Sequence, residues 1–318
     1  MKTLATVIAA VAIVTAAARA ELIMHENFSV TEGSVDGDVF QLKQASGNVW
    51  VSGYTQAQQP LYYAGDLSYA GLEASSGNAK INLNNFTAIE RGRISKSSGK
   101  TSGPLYVSFL LRVTSTSGLL TSFSGADGGN GRMISVRSTD GSNVLGLIDD
   151  GAGGFKLAID NRQTSGSPTY TGSLSLNTTY LVVFGNTDDI AVDNSTMSLW
   201  VNPTPGGAQG AATITDTWRA ENGTAILYLA NDSITANGGT LASVYMDEMR
   251  LGTTWADVTP AAAGGAETNY VADVTVPDTV DVASADDLTV ITNLISGSGV
   301  LAKTGEGTLH VIGSVAPG

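Results

Sequence analysis

Cysteine is absent from the 318 residues, and histidine occurs only twice. The first absence excludes a disulfide framework and a thiol nucleophile. The second leaves little from which to build a histidine-based triad. His25 has no serine and carboxylate setting around it, and His310 falls in a short β-rich stretch near the end of the chain. Zinc-ligand spacings, phosphate-binding glycine loops and dinucleotide fingerprints are missing as well. Charged residues are sparse, at 14%, and mostly acidic, for a formal net charge of −13. Such a chain disfavours nucleic acid and anionic membrane surfaces as partners and leaves cations and neutral polymers.

Long apolar runs are also lacking, with one exception at the start. Lys2 precedes an apolar run from Leu4 to Ala18, and Ala18-Arg19-Ala20 has the form of a cleavage site. The run is too short to span a bilayer, which takes about 20 apolar residues. Residues 1–20 therefore read as a cleaved secretory signal peptide. Loss of Lys2 and Arg19 makes the mature charge −15. The mature chain is expected to be secreted or held at a cell surface, with no transmembrane segment.

What is abundant is glycine, at 38 residues, together with Ser, Thr and Asn in turn-forming clusters. The segments between these turns alternate with period two. Leu105, Val107, Phe109, Leu111 and Val113 point one way, and Tyr106, Ser108, Leu110 and Arg112 the other. Further strands are expected at 132–137, 144–148, 155–159, 179–184, 197–201 and 225–230. The opening segment Glu21–Val30 has Leu22, Met24, Phe28 and Val30 on one parity. The closing segment Leu241–Val258 has Tyr245, Met249 and Leu251 on one parity, with Glu248 and Arg250 on the other. Residues 90–100 read as a polar, basic loop. No alternation of strands and helices appears, so the fold class is all-β, an antiparallel two-sheet sandwich. At Thr259 the texture changes. Residues 259–267 form a linker of Pro, Ala and Gly, and 268–318 hold short β segments rich in Val, Thr and Asp. The expected organisation is thus signal peptide 1–20, sandwich 21–258, linker 259–267 and a repeat-like segment 268–318.

Two stretches resemble known families. Glu26-Asn27-Phe28, the strand at 106–112, Ser198-Leu199-Trp200-Val201-Asn202-Pro203, the segment 246–252 and Trp255-Ala256-Asp257-Val258 occur in that order. Their pattern is similar to the concanavalin A-like, laminin G-like jelly rolls of secreted bacterial proteins. That resemblance implies a jelly roll whose first and last strands lie close together. It assigns no activity, because this fold serves lectins, adhesion modules and glycosidases alike. Residues 295–309 resemble the autotransporter-associated β-strand repeat, with Gly297-Ser298-Gly299 followed by Leu301-Ala302-Lys303-Thr304-Gly305-Glu306-Gly307-Thr308-Leu309. This implies rungs of a β-helix and a Gram-negative bacterial source. Rungs need stacked neighbours to bury their apolar face, so the segment reads as an incomplete stack.

Carboxylate pairs are the serious catalytic candidates, since glycosidases need two carboxyl groups about 5–10 Å apart. The laminarinase-type patterns E-x-D-x-x-E and E-x-D-x-E are absent. Asp149-Asp150 and Asp188-Asp189 sit in turn-rich surroundings and read as turns. A binding face is the more favoured reading. Parity places Tyr106, Arg112 and Trp200 on the face opposite the apolar rows, where aromatic rings and a guanidinium can hold a polysaccharide or cell-surface glycan. The alternative for these side chains is packing under a loop. Glu26 and Asp247 each interrupt an apolar row, and an inward carboxylate needs a partner. Three partners fit: a shared arginine (Arg91, Arg93 or Arg132), backbone N–H donors, or a structural calcium ion held by both acids. Three functions follow. The first is a non-catalytic module for surface attachment or glycan binding. The second is a glycoside hydrolase or lyase with a divergent site. The third is a structural spacer of a larger surface protein.

Overall fold

The computed structural model describes residues 21–31, 33–36, 45, 50–52, 60–73, 77–83, 93–123, 132–137, 143–161, 167–220, 223–230 and 243–262, and five later strands. The expected signal peptide and Arg91 lie outside these residues, as do the side chains of Arg93 and Arg132. The strands in chain order are β1 (Leu22–Glu26), β2 (Val51–Ser52), β3 (Leu61–Ala64), β4 (Ala79–Asn82), β5 (Arg93–Ser97), β6 (Leu105–Val113) and β7 (Arg132–Arg137). Next come β8 (Asn143–Asp149), β9 (Phe155–Asp160), β10 (Thr169–Tyr170), β11 (Thr179–Asn186), β12 (Thr196–Val201), β13 (Ile214–Thr217), β14 (Ile226–Ala230) and β15 (Val244–Gly252). One short helix, α1 (Trp255–Val258), precedes β16 (Thr268–Val271), β17 (Val274–Asp281), β18 (Leu288–Ile291), β19 (Ile295–Thr304) and β20 (Thr308–Val311).

Strands β1 to β15 make a two-sheet antiparallel sandwich of jelly-roll type. The first sheet runs β13-β12-β11-β6-β15-β4-β3, with β1 also on β15, and the second runs β10-β9-β8-β7-β14-β5-β2. The apolar row of β6 faces the second sheet, and Val107, Phe109, Leu111 and Val113 are all fully buried there. Val182 and Phe184 of β11 join them from the first sheet, and Leu145, Leu157, Leu227 and Leu229 from the second. Each such side chain contributes about 1.5–3 kcal/mol on burial, which makes this interior the main source of stability in a chain without disulfides. The expected basic loop at 90–100 contains β5 instead, which pairs with both β14 and β2. Its polar residues are tolerated because a strand needs ladder partners as well as an apolar face.

The acid pairs in turns behave as the composition suggests. Between β8 and β9, Asp149 accepts the Gly151 N–H and Asp150 accepts those of Ala152 and Gly154. Those N–H groups hold the Asp150 carboxyl below its ordinary range. Asp189 likewise accepts the N–H groups of Gly103 and Ala191.

β15 is the organising strand, and its pattern departs from simple alternation. Residues Val244–Asp247 pair with Val113–Leu110 of β6, and pairing resumes at Arg250 opposite Ser108. Glu248 and Met249 thus face one residue of β6, and Glu248 takes a φ of 48°. This β-bulge switches the strand's parity. Val244 and Met246 are core residues before it, Met249 and Leu251 after it. Tyr245 and Asp247, expected on the inner parity, therefore face outward. The other edge of β15 is shared: β4 pairs before the bulge and β1 after it. First and last strands of the sandwich are thus neighbours, as the jelly-roll resemblance implied.

Beyond α1 the pairing becomes parallel. Thr268 aligns with Leu288 and Leu288 with Thr308, a step of 20 residues, while β17 pairs with β19 alongside. Parallel strands in register at a fixed step are the backbone signature of β-helix-like coils. The expected linker begins differently from a free tether. Gly206 N–H donates to the Thr259 carbonyl at 2.7 Å, Glu73 N–H to Pro260 at 3.1 Å and Ala262 N–H to Gly71 at 2.7 Å. Residues 259–262 are therefore strapped across the sandwich.

Candidate functional site

The outer face of the first sheet is set by β6. Tyr106, Ser108, Leu110 and Arg112 project there because their neighbours fill the interior. Register places Tyr245 beside Arg112, Asp247 beside Leu110 and Val183 beside Ser108, with Trp200 next to Val183. So the three residues expected to form a binding face do share one face. They do not share one environment.

Tyr106 and Trp200 are only 4% exposed. Trp200 packs against Trp255 of α1, edge to face, with ring centroids 5.0 Å apart, and Tyr106 packs on Trp255 at 6.2 Å. Residues 202–213 form a roof above them. The Trp200 indole N–H donates to the Gly210 carbonyl at 2.9 Å, the Trp255 indole to Gly207 at 3.0 Å, and the Tyr106 hydroxyl to Gln209 at 3.4 Å. Burial raises the Tyr106 hydroxyl above its ordinary value. A second roof, residues 66–73, sets Leu67 and Leu72 on Leu110 and Leu181. The two roofs meet where Gly71 approaches the Pro205 ring, and the 259–262 strap is tied to both. The rings of Tyr106 and Trp200 thus spend their faces on protein. The packing alternative describes them, because parity reports a side of a sheet and not what later chain covers it.

Beneath the 66–73 roof lies a polar cluster at the β15 bulge. Asp247, 1% exposed, accepts the Leu67 N–H at 2.7 Å and the Glu248 N–H at 2.8 Å, one on each oxygen. Burial pushes its carboxyl up to about 8, reinforced by the charges of Glu248 and Asp66 and opposed by the two N–H donors. Glu248 is buried too. His25 Nε2 lies 2.7 Å from its Oε2, and Arg250 Nη2 lies 3.8 Å from the same oxygen. Arg250 also donates to the Glu73 carbonyl at 3.0 Å and lies 3.6 Å from the Glu73 carboxylate. Sequence reasoning found no setting for His25, because its partner lies 223 positions away. The only hint was alternation: β1 pairs His25 with Arg250, and the bulge turns Glu248 toward both.

Glu26 stands on the opposite side of the sheet. It pairs with Met249, is fully buried in the interior, and accepts the Phe28 N–H at 2.8 Å and the Trp50 indole N–H at 2.9 Å. Glu26 and Asp247 were expected to face one another across neighbouring strands. The bulge separates them to the two faces of the sheet. Each takes N–H donors, one of the three solutions open to a buried acid. Among the described residues no group of three or more His, Asp or Glu side chains is arranged to hold a metal.

Arg112 occupies the remaining, open end of the outer face. It is half-buried, and its Nε is buried without a hydrogen-bond partner among the described residues. Tyr245 stands beside it in register, also half-buried. Tyr63 meets Tyr245 edge to face at 5.6 Å, and Lys80 Nζ sits 5.5 Å from the centre of the Tyr245 ring. Lys80 is held there by the Ala64 and Gly65 carbonyls at 2.7 and 2.9 Å. Asn82 hydrogen-bonds the Tyr63 hydroxyl, while burial raises that hydroxyl above its ordinary value. Tyr63 and Lys80 were not singled out by the sequence, since β3 and β4 are too short to show alternation, and Tyr245 was expected on the inner parity.

Fold and site together define a β-sandwich of jelly-roll type with a paired polar cluster and a half-open aromatic–guanidinium patch. No protein-family model matches the sequence, and no curated protein does. Several solved structures are distantly similar. An endo-β-1,4-glucuronan lyase from the fungus Trichoderma reesei is 13% identical with a TM-score of 0.40, over 73% of this chain and 100% of that one. A glycosyl hydrolase family protein from Mycobacterium fortuitum is 11% identical with a TM-score of 0.39, over 73% and 99%. A botulinum neurotoxin type C structure is 12% identical with a TM-score of 0.36, over 72% of this chain and 48% of that one. This chain thus spans about half of the toxin chain. At such values the likeness carries no argument about fold, activity, ligand or partner. No helix among the described residues is long and apolar enough to cross a membrane.

Proposed function

We propose that this chain is a secreted, non-catalytic β-sandwich module for surface attachment or glycan binding, joined to coils of parallel strands. The observation that carries this reading is the division of the outer face. Its buried acids are engaged within the protein: Asp247 with two N–H groups, Glu248 with His25 and Arg250. A guanidinium and two tyrosine rings stay partly open beside them. Groups already satisfied internally are poor proton carriers, whereas half-exposed rings beside an unmatched guanidinium suit saccharide recognition. Export and a cell-surface location rest on the leader-like residues 1–20 and the repeat-like motif at 295–309. The test is a glycan array probed with the full mature chain, beside incubation with a polysaccharide panel. Saccharide binding without new reducing ends or unsaturated products is expected. Chain cleavage at enzymatic rates contradicts the reading.

One observation favours a polysaccharide-active enzyme as the second reading. Asp247 retains its proton up to about pH 8 beside the Glu248–His25 pair. A neutral acid next to a potential base is what glycosidic cleavage uses. Catalysis there requires the 66–73 roof to open, and product formation abolished by Asp247→Asn would establish it.

A further inference from the structure

We infer that Arg112, flanked by Tyr245 and Tyr63, is the subsite for a single carboxylate carried on an otherwise neutral saccharide. This deepens the proposed glycan-binding function and rests on it. The starting point is the orphaned donor. A buried N–H without an acceptor costs about 1–3 kcal/mol, and such a group in a native structure calls for a partner. Arg112 Nε has none among the described residues, although the chain carries 29 acidic residues against 16 basic ones. Arg250 also has a buried Nε without an acceptor, but its Nη groups reach Glu73 and Glu248, and Lys80 is held by two carbonyls. Arg112 differs from Arg250 in being half-open, so an Nε without an acceptor among the described residues stands where an acceptor from outside can reach its guanidinium.

The chemistry of that acceptor follows from the donor and its walls. A guanidinium presents parallel N–H groups that fit the two oxygens of a carboxylate. Tyr245 stands next to Arg112 on the same face, and antiparallel partners place their Cβ atoms about 4.5–5.5 Å apart, within one sugar's width. The edge-to-face Tyr63–Tyr245 pair offers apolar ring surface for sugar C–H groups, and Asn82 fixes the Tyr63 hydroxyl. Lys80, pinned over the Tyr245 ring, adds local positive charge. Net charge then sets how many anionic groups the ligand carries. A mature charge of −15 repels a polyanion along its whole length. One carboxylate within contact distance of Arg112 is governed by its immediate neighbours, since exposed charges are screened beyond about 8 Å at physiological salt. A uronate or other acidic sugar on a neutral chain meets both conditions.

The experiment uses the full mature chain on an array of paired glycans, each acidic member beside its carboxyl-reduced form, with sulfated glycans and polyuronates included. Binding confined to singly carboxylated members, at least tenfold over their reduced partners, is expected. Arg112→Gln is expected to erase that preference, and Arg112→Lys to retain part of it, with unchanged melting of both variants. Tyr245→Ala is expected to weaken the acidic and reduced members alike. Equal binding of acidic and reduced members, or a preference that survives Arg112→Gln, overturns the carboxylate subsite and leaves glycan binding standing. Equal or tighter binding of sulfated glycans or polyuronates overturns the single-carboxylate assignment. Binding to no saccharide overturns the glycan-binding reading and this inference with it.

Discussion

The two ends of the first sheet's outer face are built from the same strands and have opposite fates. At one end, Tyr106 and Trp200 disappear under residues 202–213 and α1. At the other, Arg112, on β6 with Tyr106, and Tyr245 of the neighbouring β15 remain half-open. The difference lies in the loops. The roofed end is closed by two loops that touch each other and by the strap at 259–262. The open end lies beside the short β4 and β3 of the same sheet. A sheet face is thus partitioned into structure and site by what crosses it, with residue types of similar chemistry in both halves.

The largest effect expected from this contrast is in stability. Trp200→Ala removes a buried indole and its hydrogen bond and is expected to cost about 3–5 kcal/mol. Tyr245→Ala, at the open end, is expected to cost about 1 kcal/mol. Chemical denaturation of both variants checks the pair, and equal losses would erase the distinction.

The second effect is pH-dependent and separates the roofed cluster from the open patch. An unfolded aspartate titrates near 3.9, and folded Asp247 near 8. Between those values the folded protein holds the extra proton. The stability tied to the protonated acid is therefore complete below about pH 4 and is lost as pH rises through 8. The loss is on the order of a few kcal/mol. Asp247→Asn is expected to flatten this slope in melts between pH 4 and 9, whereas Arg112→Gln leaves it unchanged.

A smaller effect is expected at the seam of the roof. Gly206 has a φ of 70°, and a Cβ there would lie 2.6 Å from the Ala261 Cβ. Gly206→Ala is expected to cost about 1–3 kcal/mol through backbone strain and a loosened strap. Faster hydrogen exchange at Ala262 and Glu73 would report the loosening. The smallest effect expected is from metal removal. The oxygens of Glu26 and Asp247 face N–H hydrogens, so melts in EDTA and in millimolar calcium are expected to superimpose.

Much of the fold was legible because β6 alternates and β8, β9, β11 and β12 are short apolar segments between turn-forming residues. Val107, Phe109 and Leu111 fill the core as their parity requires. The jelly-roll neighbourhood of β1 and β15 was legible from the paired opening and closing motifs. The site was legible in part. Arg112, Tyr106 and Trp200 do share a face, yet the roof over two of them depends on loops at 66–73 and 202–213 that no periodicity announces. The Glu248 bulge was hidden as well, because one left-handed residue shifts the parity of everything after it. That shift undid the expected meeting of Glu26 with Asp247 and created the unexpected one of His25 with Glu248.

Side-chain oxidative footprinting of the full mature chain compares the two ends most directly. Hydroxyl radicals modify aromatic rings according to their access to solvent. Ready oxidation of Tyr63 and Tyr245 is expected, with Tyr106 and Trp200 protected under native conditions. Oxidation of Tyr106 and Trp200 at the rate of Tyr63 and Tyr245 would contradict that contrast.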